Sequence, residues 1–165
     1  MNTNKDIILI IKRFIEDAGN MTQSFGLGRV VGQLYAYLYF SSMPKNLADM
    51  QEALGISKGS ASTAVRQLEQ WGATKKVWVK GDRKDYYEAC DWFGRILRNA
   101  IVDTFGKRMA SYASLIDDIE VGLAEVESGG NDEGEFIKGQ IESLKKFQKK
   151  AFGILENPIV QAIVK

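Results

Sequence analysis

One segment of this 165-residue chain changes its periodicity abruptly, from that of a helix to that of a β-hairpin. Residues 57 to 71, SKGSASTAVRQLEQW, repeat apolar residues at helical spacing, and Gly72 follows as a stop signal. The next runs, TKKVWV and DYYEAC, are rich in β-branched and aromatic residues and are separated by KGDRK. Gly81 and Asp82 at the centre of that separator predict a tight turn. The segment therefore predicts a helix followed directly by a hairpin.

A shorter helix is predicted immediately before this one. Pro44 and Asn46 provide a helix start, and Gly55 is placed to end the helix. Ser57 then caps the following helix, so the pair forms a helix-turn-helix. With the hairpin behind it, this arrangement is a winged helix. The predicted fold class is mainly α (α+β), a winged helix-turn-helix with a two-stranded β-wing, flanked by N- and C-terminal dimerisation helices.

The first turn of the helix at residues 57 to 71 has an unusual composition. It contains Lys58 and Gly59 but no acidic residue, although a helix N-terminus carries partial positive charge and favours Asp or Glu. Residues 57 to 84 hold seven basic and two acidic residues, a net charge of +5, whereas the whole chain has +1. A basic segment in an otherwise acidic chain predicts a polyanionic partner, and DNA phosphates would supply the missing acid.

Two groups of residues are predicted to contact double-stranded DNA. Small residues let the helix start enter the major groove, where hydroxyl groups contact phosphates or base edges and Arg66 contacts a guanine. The basic hairpin tip contacts the phosphate backbone or a minor groove. The predicted recognition-helix residues are Ser57, Lys58, Gly59, Ser60, Ser62, Thr63, Arg66 and Gln67, and the predicted wing residues are Lys80, Arg83 and Lys84.

Other interpretations of the same residues remain open. A serine-rich helix start is also common in helices that bind nothing, with Lys58 simply solvated. A winged helix can also serve as a protein-protein interaction module, with weak and non-specific nucleic-acid binding. RNA is disfavoured because exposed aromatic platforms and clamping glycine loops are absent from the sequence.

Composition argues against an enzyme or a metal site. The chain has no histidine and a single cysteine, Cys90, which removes the usual transition-metal clusters and imidazole-dependent nucleophiles. Carboxylate pairs such as Asp117 with Asp118 lie in helical, charged segments and are interpreted as solvated. No apolar run approaches the roughly 20 residues of a membrane span, and the N-terminus lacks a secretory signal. We therefore expect a cytoplasmic protein without catalytic residues, metal, cofactor or membrane partner.

The residues from about Phe25 to Cys90 resemble the GbsR-type regulators, a branch of the MarR-like winged-helix transcription factors. The resemblance rests on GRVVGQLYAYLYFS, LGISKGSASTAVRQLEQWG and VKGDRKDYY. It implies a homodimeric repressor of a palindromic operator, with the recognition helix from Ser57 to Trp71 and the wing tip from Lys80 to Lys84. Some members of that family respond to choline or related metabolites, but no ligand-binding residue is carried over to this chain.

Further helices are predicted on both sides of the winged helix. Residues 7 to 18 place apolar side chains on one helical face, although their β-branched run leaves a strand as the alternative. Residues 26 to 41 form another helix, in which Gly28 and Gly32 indicate close helix packing rather than a phosphate loop. Two long helices are predicted at residues 93 to 126 and 135 to 155.

The two long helices, joined by a loop at residues 128 to 134, predict dimerisation, since a small winged helix cannot bury them. A monomer with an antiparallel helical hairpin is the alternative. The predicted domains are an N-terminal helix in the dimer interface (residues 1–24), the winged helix-turn-helix (25–90) and a long helical dimerisation region (91–165).

Several aromatic residues could bind a small-molecule effector. An aromatic cage for a quaternary ammonium group would use Tyr35, Tyr39, Trp92 and Tyr112. Aromatic residues at helical spacing usually belong to the core, which is the favoured interpretation. A thiol sensor at Cys90 is disfavoured because it has no resolving cysteine.

Overall fold

The computed structural model describes residues 3–126, 132–155 and 157. In this part of the chain the elements follow the order α1 (Thr3–Ser24), α2 (Arg29–Tyr39), β1 (Lys45–Asn46), α3 (Leu47–Leu54), α4 (Lys58–Gln70), β2 (Thr74–Val77), β3 (Tyr86–Ala89), α5 (Phe93–Val126) and α6 (Asp132–Leu155). The chain divides into two compact units, with the boundary between Ala100 and Ile101. The three predicted domains are defined by role rather than by compactness and stay a prediction.

The first unit is built around α2, which contacts α1, α3, α4 and β3. Its core contains Leu34 and Leu38 from α2, Met50 from α3, and the apolar face of α4. The residues predicted to form that face are all buried: Ala61, Ala64, Val65, Leu68 and Trp71. The helix-turn-helix predicted from the spacing is therefore confirmed, and burial of this face fixes which side of α4 faces solvent.

Both helices of the helix-turn-helix begin at the predicted residues. Asn46 caps α3, with its side-chain oxygen accepting hydrogen bonds from the N–H groups of Ala48 at 2.8 Å and Asp49 at 3.2 Å. The Asp49 carboxylate accepts one in return from the Asn46 N–H, at 2.9 Å, which completes a capping box. Gly55 ends the helix at a φ of 63°, a backbone conformation that favours glycine.

The predicted two-stranded wing is confirmed as β2 and β3, and β1 adds a third strand to the same sheet. In the antiparallel sheet β3 lies between β1 and β2; Val77 of β2 and Asn46 of β1 both lie opposite Tyr86. Strand β1 has only two residues, which is too short to show an alternating pattern in the sequence. Its second residue, Asn46, is predicted as a helix cap and so gives no sign of a strand. This third strand ties the wing to the start of α3.

Residues 3 to 24 form a helix, not a strand, and α1 packs closely on α2. A side chain at Gly32 would place its Cβ 2.4 Å from the carbonyl oxygen of Ala18, so only glycine fits there. The Thr22 hydroxyl donates a hydrogen bond to the Gly28 carbonyl at 2.9 Å. Glu16 accepts hydrogen bonds from Arg29 and, at 2.9 Å, from Gln33. The prediction of close helix packing is confirmed at Gly32.

The second unit contains the rest of α5, whose bounds match the prediction, and α6. Lys145 of α6 forms ion pairs with Asp117 at 3.2 Å and Glu120 at 2.6 Å. Ile141 is buried and lies beside Leu123 in a small cavity between the two helices, so α5 and α6 run antiparallel. The predicted loop at 128 to 134 ends earlier than expected, because α6 begins at Asp132; its other residues lie outside the described part.

Candidate nucleic-acid interface

The exposed face of α4 carries the residues predicted to read DNA. Opposite the buried stripe, these residues have exposed or half-buried side chains: Ser57, Lys58, Gly59, Ser60, Ser62, Thr63, Arg66 and Gln67. The face has no acidic residue in its first turn. It therefore combines small side chains, hydroxyl groups and positive charge at the end of the helix that attracts anions.

The start of α4 is capped by its own chain. The Ser57 Oγ accepts a hydrogen bond from the Ser60 N–H at 3.1 Å and lies 3.0 Å from the Ser60 Oγ. A helix leaves its first N–H groups without intrahelical partners, and Ser57 satisfies the one at Ser60. The N-terminal end is therefore formed without an acidic side chain, as expected from the sequence.

Arg66 and Gln67 differ in how strongly they are held. The Arg66 guanidinium is exposed, with its Nη2 atom 3.5 Å from the Ser62 Oγ, and it forms no ion pair within residues 3–126. The Gln67 amide donates a hydrogen bond to the Gln70 side chain at 3.1 Å. Arg66 is thus the longer and freer of the two side chains on this face.

The tip of the wing is a defined turn. The Asp82 N–H donates to the Val79 carbonyl at 3.2 Å, and Gly81 between them has a φ of 87°. The Asp82 carboxylate accepts hydrogen bonds from the Lys84 N–H at 3.0 Å and from the Tyr86 hydroxyl at 2.8 Å. These donors hold the pKa of Asp82 below its usual value. Asp82, the acidic residue of the predicted tip, therefore orders the turn.

The positive charges of the wing are of two kinds. Lys76 pairs with Asp85 at 3.0 Å, which raises the lysine pKa, and Lys75 pairs with Glu88 at 3.5 Å. Asp85 and Glu88 lie outside residues 57 to 84, so the net charge of +5 for that segment does not include them. The cations at the tip are exposed and form no ion pair within the described chain: Lys80, Arg83 and Lys84. Unpaired positive charge is therefore concentrated at the tip.

Two further features of this region are absent from the sequence-based prediction. Trp78, directly after β2, is 78% exposed. The residues at the start of α2 border the recognition helix across a groove of about 530 Å³, which is lined by Leu27, Gly28, Arg29, Val30 and Val31 on one side and by Gly59, Ser60, Thr63, Ala64 and Gln67 on the other. Trp78 was detectable as an aromatic residue among lysines, whereas the groove depends on tertiary packing.

The four predicted cage residues are only partly grouped. Tyr35 and Tyr39 have ring centroids 6.2 Å apart, and Tyr39 packs against Phe93 at 5.3 Å. The Tyr35 hydroxyl donates to the Cys90 carbonyl at 2.6 Å, and burial raises the pKa of Tyr35 to about 12. The guanidinium carbon of Arg95 lies 3.9 Å from the ring centroid of Trp92. Tyr112 belongs to the second unit.

A cavity lies beside two of these rings. It measures about 560 Å³, and Tyr39, Trp92, Lys75, Glu88 and Asp91 contribute to its lining. Among the described residues, no three His, Cys, Asp or Glu side chains are placed to hold a metal ion, and no described helix has the length and apolar composition needed to span a membrane.

Comparison with known proteins identifies similar regulators. No family model matches the chain. The HTH-type transcriptional repressor OpcR of Bacillus subtilis (strain 168) is 32% identical over 77 residues, which cover 47% of this chain and 42% of OpcR. The HTH-type transcriptional repressor GbsR of the same organism is 27% identical over 112 residues, or 68% of this chain and 62% of GbsR. The matches thus span less than two thirds of either relative.

A solved structure has a similar fold. The crystal structure of a transcriptional regulator superposes with a TM-score of 0.50 at 24% identity, covering 88% of this chain and 95% of that one. Both of these sequence relatives are named as HTH-type transcriptional repressors. The sequence relatives of this chain are thus HTH-type transcriptional regulators, and the repressor GbsR is among them.

Proposed function

We propose that this protein is a sequence-specific transcriptional regulator that binds a palindromic operator as a homodimer. The observation that carries the proposal is the exposed face of α4, where small and hydroxyl-bearing residues surround a helix start that lacks acid. A DNA phosphate at that end would interact with the first-turn N–H groups and with Lys58. A protein that binds genomic DNA acts in the compartment that holds it, so a cytoplasmic location is part of the proposal.

The proposed contacts divide between the recognition helix and the wing. Arg66 is exposed and long enough to contact a guanine, while Ser60, Ser62 and Thr63 offer hydroxyl groups to base edges or phosphates. Lys80, Arg83 and Lys84 contact the phosphate backbone, because they are exposed and unpaired at a fixed turn. Direct base contacts therefore belong to α4, and most of the salt-dependent affinity belongs to the wing.

Homodimerisation is proposed from exposed apolar side chains on three helices. On α1 these are Ile7, Ile8, Leu9, Ile10 and Phe14; on α5 and α6 they include Tyr112, Leu115, Val121, Phe136 and Phe147. Monomeric proteins rarely expose large contiguous apolar patches, and α1 alone exposes five large apolar side chains. A second copy that covers them would hold two recognition helices about one DNA turn apart.

Repression, rather than activation, is proposed because OpcR and GbsR are both described as repressors. A repressor of this kind needs only to occupy its operator. A small-molecule effector is proposed to act through the cavity beside Tyr39 and Trp92, where Asp91 supplies negative charge for a cationic ligand. Calorimetry with choline and betaine at millimolar concentration tests this, and the absence of heat from both ligands would exclude the cage.

The test of DNA binding is selection of genomic fragments on the purified protein at near-physiological salt. Anisotropy titration then compares the enriched site with a scrambled one. We expect a palindrome bound at least ~1000-fold more tightly than the scrambled duplex. If no site is enriched and binding disappears at modest salt, the chain is not a sequence-specific regulator, and its winged helix is better explained as a protein-protein interaction module.

A further inference from the structure

We infer that Trp78 is a DNA-contacting residue of the wing, whose indole ring inserts into the minor groove as an apolar wedge beside the basic tip. The inference rests on the proposed DNA-binding function and extends it to a residue outside the predicted contact set. It also assigns the wing a role in selecting DNA sequence, in addition to its role in affinity.

The exposure of Trp78 is the first observation. At 78%, its side chain is the most exposed of the large apolar side chains in the described residues. The other two tryptophans are accounted for, since Trp71 is buried in the core and Trp92 lies under the Arg95 guanidinium. Burying an indole removes a large apolar surface from water. A ring left this exposed gains free energy when a partner covers it.

The charge around Trp78 indicates which partner covers it. Lys80 lies two residues further along the chain, and Arg83 and Lys84 complete the exposed, unpaired cations of the same hairpin tip. An apolar protein partner would leave these charges at the edge of its contact surface without a counter-charge. A DNA groove supplies both an apolar base edge and flanking phosphates.

The backbone on both sides of Trp78 is held in place. Val77 pairs with Tyr86 in the sheet, and the turn closes through the hydrogen bond from the Asp82 N–H to the Val79 carbonyl. The Asp82 carboxylate in turn binds the Lys84 N–H and the Tyr86 hydroxyl. The indole is therefore presented from a defined backbone, which lowers the ordering cost of its insertion.

An inserted apolar ring would respond to DNA deformability. Wedges between base steps unstack them in part and bend the duplex, and this deformation costs least at flexible pyrimidine-purine steps such as TA. The wing would then favour operators with a flexible step in the flank, although no polar side chain reads that position. Lys80, by contrast, contacts phosphates and would have no such preference.

The experiment compares two operators that differ only in the flank under the wing, one with a TA step and one with a stiff A-tract. Trp78→Ala should lose about tenfold or more in affinity for the TA operator, the scale expected from covering roughly a third of an indole surface. The loss should be smaller on the A-tract operator, and the slope of log affinity against log salt should not change. Phe25→Ala, which removes a similarly exposed aromatic ring outside the wing, is the matched control and should bind both operators as the wild type does.

Tryptophan fluorescence provides a second readout on the same samples. Operator binding should change the tryptophan emission of the wild type, and the change should disappear in Trp78→Phe. Thermal melts confirm that each variant is folded. An equal loss of affinity on both operators, or wild-type binding by Trp78→Ala, would overturn the wedge while the wild type still selects its operator. Failure of the wild type to select any operator would instead remove the proposed function and the wedge together.

Discussion

Arg66 and Arg83 carry the same charge in different structural settings. Arg66 extends from the exposed face of α4, whereas Arg83 lies in the turn between β2 and β3. Base contacts determine sequence specificity, whereas phosphate contacts position the protein on the duplex. Removing Arg66 and removing Arg83 should therefore have different effects on DNA binding. Arg66→Ala should lose about 1 to 3 kcal/mol of discrimination between operator and scrambled DNA.

Arg83→Ala should instead weaken binding to every duplex and lower the salt slope by about 1. Anisotropy titrations of both variants over a range of salt concentrations check the pair. Identical effects of the two substitutions on every sequence would contradict this division of roles.

Tyr35 links α2 to the end of the wing through a hydrogen bond. Its ionisation should lower the free energy of unfolding at alkaline pH. Its pKa in the folded chain is about 12, against about 10 for an unperturbed tyrosine. The folded state therefore binds this proton more tightly than the unfolded state, so the stabilisation is complete below pH 10 and is lost as the pH rises toward 12.

The variant Tyr35→Phe removes the proton and also the hydrogen bond to the Cys90 carbonyl. At pH 7 we expect it to cost about 0.5 to 1.5 kcal/mol. Denaturant unfolding at pH 7 and pH 11 should show the gap between wild type and variant narrowing at the higher pH.

Two glycines in helices should respond in opposite directions to the same substitution. At Gly32 a Cβ would lie 2.4 Å from the Ala18 carbonyl oxygen, so Gly32→Ala must push α1 and α2 apart and should destabilise by about 1 to 3 kcal/mol. At Gly59 the added Cβ would have only the Ser57 hydroxyl near it, at 3.9 Å. Gly59→Ala should therefore stabilise α4, by up to about 1 kcal/mol.

Gly59→Ala should nevertheless bind operator DNA more weakly, because a methyl group would separate the start of α4 from the groove. Thermal melts and anisotropy on the same preparations measure both effects. Unchanged operator affinity in Gly59→Ala would show that the backbone at this position does not approach DNA.

The elements differ in how far sequence alone predicts them. The start of α3 at Asn46, the cap of α4 at Ser57 and the bounds of α5 follow from local signals that sequence shows directly. Strand β1 has no such signal, because two residues cannot display alternation. The ion pair of Lys75 with Glu88 depends on the register of β2 and β3. The sequence alone therefore does not show which positive charges of the wing are paired.

The whole molecule exposes apolar surface that a second copy would cover. Leu9 is 70% exposed on α1, amid a row of isoleucines. A charge there would have to be desolvated in a dimer interface, so Leu9→Glu should shift the protein to a monomer. Light scattering measures the mass, and Met43→Glu is the control, since Met43 is similarly exposed but lies outside the helices.

The monomeric Leu9→Glu variant should also bind a palindrome no better than a single half-site. Dimeric mass in this variant would place the interface elsewhere, with α5 and α6 as the next surfaces to test. A monomeric wild type would remove the homodimer from the proposal.

The hydrogen bond from the Ser60 N–H to Ser57, together with burial of the opposite face of the helix, means that α4 is complete before DNA arrives. Proteins that fold their recognition segment on binding bury about 1,000 to 3,000 Å² in doing so and show a correspondingly large negative heat capacity change. Here that contribution is absent from α4. The heat capacity of operator binding should therefore reflect the contact surface alone, so the binding enthalpy should vary only gently with temperature.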